Sequence, residues 1–117
     1  MNICGPGKIV TVYLGNSDRW HGQSLYNAIV MRARELGMAG ATVIEGIEGY
    51  GAKSRIHRAS LLDISTNLPI KVEIIDTEER ILRFLPELKQ MVAEGLIILR
   101  DCEILKYGSG PAGPEPE

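Results

Sequence analysis

The sequence is poor in cysteine, in aromatic residues and in long apolar runs. Cys4 and Cys102 are the two cysteines in 117 residues and form no CxxC pair, which argues against a disulfide framework and for reduced thiols. No apolar run reaches the roughly 18 residues of a membrane span. The N-terminus has neither a basic region nor an apolar stretch of signal-peptide length. We therefore expect a cytoplasmic protein.

The chain also carries little net charge. Thirteen Lys and Arg residues against fifteen Asp and Glu residues give −2, so nucleic acid and anionic lipid are not attracted globally and any anion site must be local. The length predicts one domain. We expect a flexible segment at 1–7, a folded domain at 8–107 and a disordered tail at 108–117, where Gly and Pro replace large apolar residues. The alternative for the tail is a segment that folds on a partner.

Four segments predict strands, because their residues alternate between two faces or because they are rich in β-branched and aliphatic residues. These segments are 8–14, 41–47, 69–76 and 96–107. Strands of this kind, separated by helical segments, predict a mixed α and β fold.

Two segments with apolar residues at helical spacing predict helices. The first begins at Ser24 and ends before Gly37. Its apolar face consists of Leu25, Ile29, Ala33 and Leu36. The second follows Asp76, which with Glu79 reads as a capping box. Its apolar face consists of Ile81, Leu85, Leu88 and Val92. Pro86 inside this helix predicts a kink, because proline lacks a backbone donor.

The order βαββαβ is that of the ferredoxin-like fold. It predicts an α+β sandwich in which two helices cover one face of a four-stranded antiparallel sheet. The other sheet face is half apolar, since Ile9, Thr11 and Tyr13 share it with Lys71 and Glu73. An uncovered face of this kind predicts that subunits pack sheet to sheet in a closed cyclic oligomer.

The connection at 48–66 is longer than a hairpin needs and holds the main candidate site. The candidate ligand-binding residues are Gly49, Tyr50, Gly51, Lys53, Arg55, His57 and Arg58. Glycines allow close backbone approach and an anion-binding nest, the cations add local positive charge, and Tyr50 offers a stacking surface. This combination is typical of a site for a phosphate-bearing nucleotide. The spacing matches neither phosphate-loop nor dinucleotide fingerprints, and the alternative is a solvated basic loop that binds nothing small.

A secondary candidate lies just before the first helix, at His21 and Gly22 beside Trp20. A helix N-terminus attracts anions, and the two rings can stack on a base. The alternative is a capped helix start with a partly packed Trp20.

Metal and catalytic signals are weak. The histidines and cysteines share no metal-ligand spacing, so a zinc site would require the fold or the subunits to gather them. No Ser-His-Asp or Cys-His spacing appears, and we expect no enzyme activity.

Several blocks of the sequence resemble an uncharacterised PII-like family (domain of unknown function 190) in order and spacing. The blocks are 21–26, 33–43, 46–51, 56–57, 67–76, 80–86 and 91–96. They span roughly residues 9–107, nearly the whole expected domain. Phe84-Leu85-Pro86 is among them, which makes Pro86 a shared feature of the family.

The resemblance implies a ferredoxin-like protomer in a PII-like trimer, related in fold to PII signalling proteins and to CutA. PII proteins bind adenine nucleotides between subunits, and a long loop after the second strand engages a partner, often a transporter. Segment 48–66 occupies the place of that loop. The resemblance therefore implies phosphate contact by Gly49, Gly51, Lys53, Arg55 and Arg58.

One departure concerns the turn before the last strand. PII proteins hold phosphates there with a turn that contains glycine and lysine, whereas Ala93-Glu94-Gly95-Leu96 has one glycine and no lysine. This argues against a triphosphate held in the PII manner and leaves open a nucleotide held in another way.

Three functions follow as hypotheses. The first is a trimeric regulatory protein that binds an adenine nucleotide as effector and acts on a protein partner, a transporter or an enzyme, without binding nucleic acid or inserting into a membrane. The second is a CutA-like trimer that binds divalent metal. The third is an enzyme on the same scaffold, since fold alone does not determine function.

Overall fold

The computed structural model describes residues 3–51, 56–58 and 67–108. Within them the predicted strands and helices occur in the predicted order, with four additional two-residue strands. The elements are β1 Gly5–Gly15, β2 Arg19–Trp20, β3 Gln23–Ser24, α1 Leu25–Glu35, β4 Gly40–Glu45, β5 Glu48–Gly49, β6 His57–Arg58, β7 Pro69–Asp76, α2 Glu78–Met91 and β8 Leu96–Ile104.

The main sheet has the strand order β4-β7-β1-β8, and every neighbouring pair is antiparallel. This is the ferredoxin-like arrangement, so the predicted fold class is confirmed. In the register, Val12 faces Val72 on one side and Ile97 on the other. Because side chains alternate along a strand, this register places one row of aliphatic residues under the helices and the next row on the opposite face.

The hydrophobic core lies between the sheet and the two helices. Its largest fully buried members are Phe84, Ile29, Ile74, Ile81, Leu88, Val10, Val12 and Val72. The predicted helix faces are confirmed, with Leu36 and Leu85 partly buried at their margins. Phe84 and Met91 complete the face of α2, which the sequence analysis had described without them.

Helix α1 ends just before Gly37, as the sequence predicts. Gly37 has φ +73°, and its N–H donates to Arg34 O at 2.9 Å while Met38 N–H donates to Ala33 O at 3.0 Å. These two bonds are those of a Schellman motif, which needs a residue with positive φ at this position.

The predicted capping box at α2 is wrong. Thr77 is the N-cap of the helix, and Asp76 is the last residue of β7. Asp76 continues the alternation of buried residues along β7 and is fully buried. Its carboxylate therefore points into the protein, where it accepts hydrogen bonds from Ala39 N and Thr77 N at 2.8 and 2.6 Å.

Three boundaries differ from the sequence-based ones. Residues 5–7, expected in the flexible segment 1–7, are the first part of β1 and pair with residues 102–104 of β8. The second predicted strand ends at Glu45, and the last one ends at Ile104. The predicted tail lies outside the described residues from 109 onward. No helix in the described part of the chain is long and apolar enough to cross a membrane.

Candidate ligand-binding site

A cavity of about 760 Å³ lies where β1 and β4 end and β7 and β8 begin. Gly49, Tyr50 and Gly51 form one wall, so three of the predicted ligand-binding residues line it. Gly95 and Leu96, from the turn before β8, form another part of the lining. The volume is within the range of pockets that hold small molecules.

One side of the cavity is a row of four side chains across the open face of the sheet. The register aligns Ile44 with Lys71, Lys71 with Tyr13 and Tyr13 with Leu96, and all four line the cavity. Ile44 and Leu96 are each 53% exposed and Tyr13 is 41% exposed. The cavity therefore borders the sheet face that the helices leave uncovered.

Pro69 supports the backbone that leads into the 48–66 segment. Gly46 N–H donates to Pro69 O at 2.7 Å. A Cβ atom on Gly46 would lie 2.9 Å from Pro69 Cγ, and one on Gly49 would lie 3.2 Å from it. Glycine at these positions lets the chain pass directly against the proline ring.

The segment after the cavity wall forms a short ladder. Glu48 and Gly49 of β5 pair with Arg58 and His57 of β6. Glu48 Oε1 lies 3.5 Å from Arg58 Nε, so this predicted cation is next to a carboxylate. The region expected to be one long loop therefore contains a small two-stranded sheet at its base.

Gly95 determines how closely the turn before β8 approaches β1. Its φ is +154°, and a Cβ there would lie 2.7 Å from Tyr13 O and 3.0 Å from Val92 Cγ1. A side chain would therefore collide with the backbone of β1 at the cavity edge.

The ionisable groups on the described part of the lining are mainly acidic. Asp18, Glu48 and Glu94 are carboxylates, and Lys71 is the cation among them. Asp18 Oδ2 accepts a hydrogen bond from Gly15 N–H at 3.1 Å, which fixes the turn at the end of β1. Sequence reasoning placed Lys71 and Tyr13 on the open face but not in a site.

The remaining predicted site residues stay predictions. Lys53 and Arg55 lie outside the described residues. His57 is placed by its backbone in β6. No signal in the sequence alone joins Tyr13, Lys71 and Gly95, because only the strand register brings these distant positions together.

The secondary candidate lies before the first helix, as predicted, and forms the turn of a short hairpin. His21 and Gly22 have φ +47° and +83° and connect β2 to β3, ahead of the start of α1 at Leu25. Positive φ at both positions is the geometry of a type I′ turn. The imidazole stacks on Trp20 at 4.4 Å between ring centroids, and Trp20 packs against the core.

A second cavity of about 610 Å³ lies along the two helices. Arg32 of α1 and Glu87 of α2 both line it and pair with each other at 2.6 Å. This hydrogen bond to Glu87 raises the pKa of Arg32 above its ordinary value. Among the residues the structure describes, no group of three or more His, Cys, Asp or Glu could hold a metal ion.

The sequence matches one protein-family model over most of its length. The model, DUF190, described as Uncharacterized ACR, COG1993, matches residues 7–104. A UPF0166 protein of Aquifex aeolicus (strain VF5) is 39% identical over 98 residues, which are 84% of this chain and 92% of that protein. A UPF0166 protein of Methanocaldococcus jannaschii is 38% identical over 100 residues, or 85% and 92% of the two chains.

The solved structures to which this chain is similar include PII-like proteins. One is CPII, a nitrogen regulatory PII-like protein from Thiomonas intermedia K12 bound to ADP, AMP and bicarbonate. It superposes with a TM-score of 0.63 at 16% sequence identity, and the match covers 85% of this chain and 88% of CPII. A putative PII-like signaling protein from Thermus thermophilus has a TM-score of 0.60 at 21% identity, with 86% and 91% of the two chains covered. At these identities the similarity shows a PII-like fold. The names of these relatives assign no enzyme activity.

Proposed function

The chain belongs to the DUF190 (UPF0166) family, and from this premise and its PII-like fold we propose that it is a regulatory protein that binds an adenine nucleotide. The ligand would occupy the cavity beside Gly49, Tyr50 and Gly51. The protein would work by binding and not by catalysis. The observation that carries the proposal is that this cavity lies at the base of the 48–66 segment.

The lining suits the base and ribose of a nucleotide in size and in surface. Its volume of about 760 Å³ leaves room for a base and a ribose, and Tyr50, which is 70% exposed, offers a ring on which a base can stack. Gly49 and Gly51 allow the ligand to approach the backbone closely. CPII, which shares the fold, is described as bound to ADP and AMP.

The position of the cavity supports a site between subunits of a homotrimer. Ile44, Tyr13 and Leu96 belong both to the cavity lining and to the open sheet face. If a second copy packs on that face, it also closes the cavity. A ligand there would contact both subunits, as the resemblance to PII proteins implies.

The cavity is also next to the 48–66 segment, through which the protein would contact a partner. Glu48 and Gly49 line the cavity and also pair with Arg58 and His57. A bound ligand would therefore act on the base of the 48–66 segment. We propose that this segment contacts the regulated partner, a transporter or an enzyme in the cytoplasm.

Calorimetric titration with AMP, ADP, ATP and cyclic AMP tests the proposal on protein whose mass is measured by light scattering. We expect binding of at least one of them to the trimer, weakened about tenfold by Tyr50→Ala through loss of base stacking. Tyr107→Ala is the matched control, because Tyr107 is exposed and is not part of the lining. No heat with any nucleotide on a confirmed trimer contradicts the proposal, and uptake of Cu²⁺ or Zn²⁺ in its place would favour the CutA-like alternative.

A further inference from the structure

Lys71 lies between the cavity and the open sheet face. It is the lone Lys or Arg among the described residues of the cavity lining, and its side chain is 37% exposed. Its Nζ lies 3.4 Å from Glu73 Oε2. Lys71 therefore borders the cavity and has a carboxylate partner further along the same strand.

Glu73 has a second cationic partner on the other side of β1. Arg100 Nη2 of β8 lies 3.4 Å from the same Oε2 atom. The register aligns Glu73 with Thr11 and Arg100 with Ile9, so this pair spans β1 on the open face. Of the two cations that share Glu73, only Lys71 reaches the cavity.

We propose that Lys71 holds the anionic group of the ligand and leaves Glu73 when the ligand binds. This inference rests on the proposed function and names the residue that recognises the anion. A lysine is a point charge on a flexible stem, and a partly exposed ion pair is weak. A charge-assisted hydrogen bond to a phosphate oxygen is stronger, so the exchange is favourable.

The exchange couples the cavity to the open face. When Lys71 binds the ligand, Glu73 remains paired with Arg100 but no longer with Lys71. The ion pairing on the open sheet face therefore changes. Because coupling between two sites is reciprocal, whatever strengthens the Lys71–Glu73 pair weakens ligand binding. Arg100 favours the ligand in this scheme, since it competes with Lys71 for Glu73.

Titration with AMP and with adenosine, which lacks the phosphate, tests the anchor. We expect Lys71→Met to weaken AMP binding by about tenfold to hundredfold and to leave adenosine binding within about twofold. Lys89→Met is the matched control, because it removes the same charge from an exposed position of α2 and should change neither affinity. Equal losses for AMP and adenosine, or an equal effect of Lys89→Met, overturn the proposal.

Glu73 and Arg100 test the exchange through effects of opposite sign. We expect Glu73→Gln to tighten AMP binding about twofold to fivefold and Arg100→Gln to weaken it by a similar factor. The gain from Glu73→Gln should vanish in the Lys71→Met background, which a double-mutant cycle measures. Glu103→Gln, at an exposed position of β8, is the charge-matched control.

The outcomes separate this inference from the proposed function. If the wild-type protein binds AMP and adenosine equally well, the nucleotide site stands and the anion anchor is wrong. If Glu73→Gln leaves AMP affinity unchanged, the exchange is wrong. If neither ligand binds, the proposed function fails and the inference fails with it.

Discussion

The fully buried carboxylate of Asp76 lies 3.4 Å from the guanidinium Nη1 of Arg80, in the first turn of α2. Arg80 Nη2 also donates to the carbonyl oxygens of Leu36 and Gly37, each at 2.8 Å. These carbonyls are at the end of α1, where cationic donors are favourable. The pair therefore ties the end of the first helix to the start of the second and to the last residue of β7.

Arg80→Met should lower the free energy of unfolding by about 2–4 kcal/mol, because it leaves a buried carboxylate without its cation. Urea denaturation followed by circular dichroism measures the loss. Arg83→Met is the control on the same helix, since Arg83 pairs with Glu79 where both side chains are more than 70% exposed. The control should cost less than about 1 kcal/mol, and equal losses in the two variants would contradict the role assigned to Arg80.

Gly95→Ala should destabilise the protein by about 1–3 kcal/mol, because the backbone has positive φ and a methyl group would collide with Tyr13 O. Gly40→Ala is the matched control, with no heavy atom within 4 Å of the added Cβ. The midpoints of thermal unfolding should separate the two variants clearly. A Gly95→Ala protein as stable as the control would show that the turn moves away from β1 at little cost.

Thr11→Val should leave stability unchanged or raise it by up to about 1 kcal/mol, since Thr11 Oγ1 is buried and has no hydrogen-bond partner in the described part of the chain. Thr11 is 2% exposed in the middle of β1. Thr42→Val, at an exposed position of β4 on the same sheet face, is the control and should change stability little. A loss above about 1 kcal/mol for Thr11→Val would mean that the hydroxyl finds a partner in the assembled protein.

The protomer fold could be predicted because its signals are local. Alternation along 69–76 gave the bounds of β7, and the helical spacing of Leu25, Ile29 and Ala33 gave the buried face of α1. Asp76 misled the prediction because a carboxylate before a helix is usually a cap. Asp76 falls on the buried side of the alternation along β7. That alternation predicts the position of its side chain better than its place before a helix does.

The cavity could be predicted only in part. The glycines at 49 and 51 marked one wall, since they stand out in the sequence. Tyr13, Lys71 and Gly95 belong to three separate elements, and only the register of β1 against β7 and β8 brings them together. The type I′ turn at His21 and Gly22 is harder to predict because the usual signals for such a turn are Asn-Gly, Asp-Gly and Gly-Gly, and His-Gly is not among them.

Ile98→Lys should convert the proposed trimer to monomers, because Ile98 lies in the middle of β8 on the open sheet face, aligned with Thr11. It is 36% exposed in the protomer, and a lysine there would carry its charge into a subunit interface but only into solvent in the free chain. Leu82→Lys is the matched control, since Leu82 is 43% exposed on α2. Light scattering after size-exclusion chromatography should give the mass of one chain for Ile98→Lys and of three chains for the control. A trimer in both variants would show that subunits do not pack through the open face. A monomeric wild-type protein would contradict the proposed trimer itself.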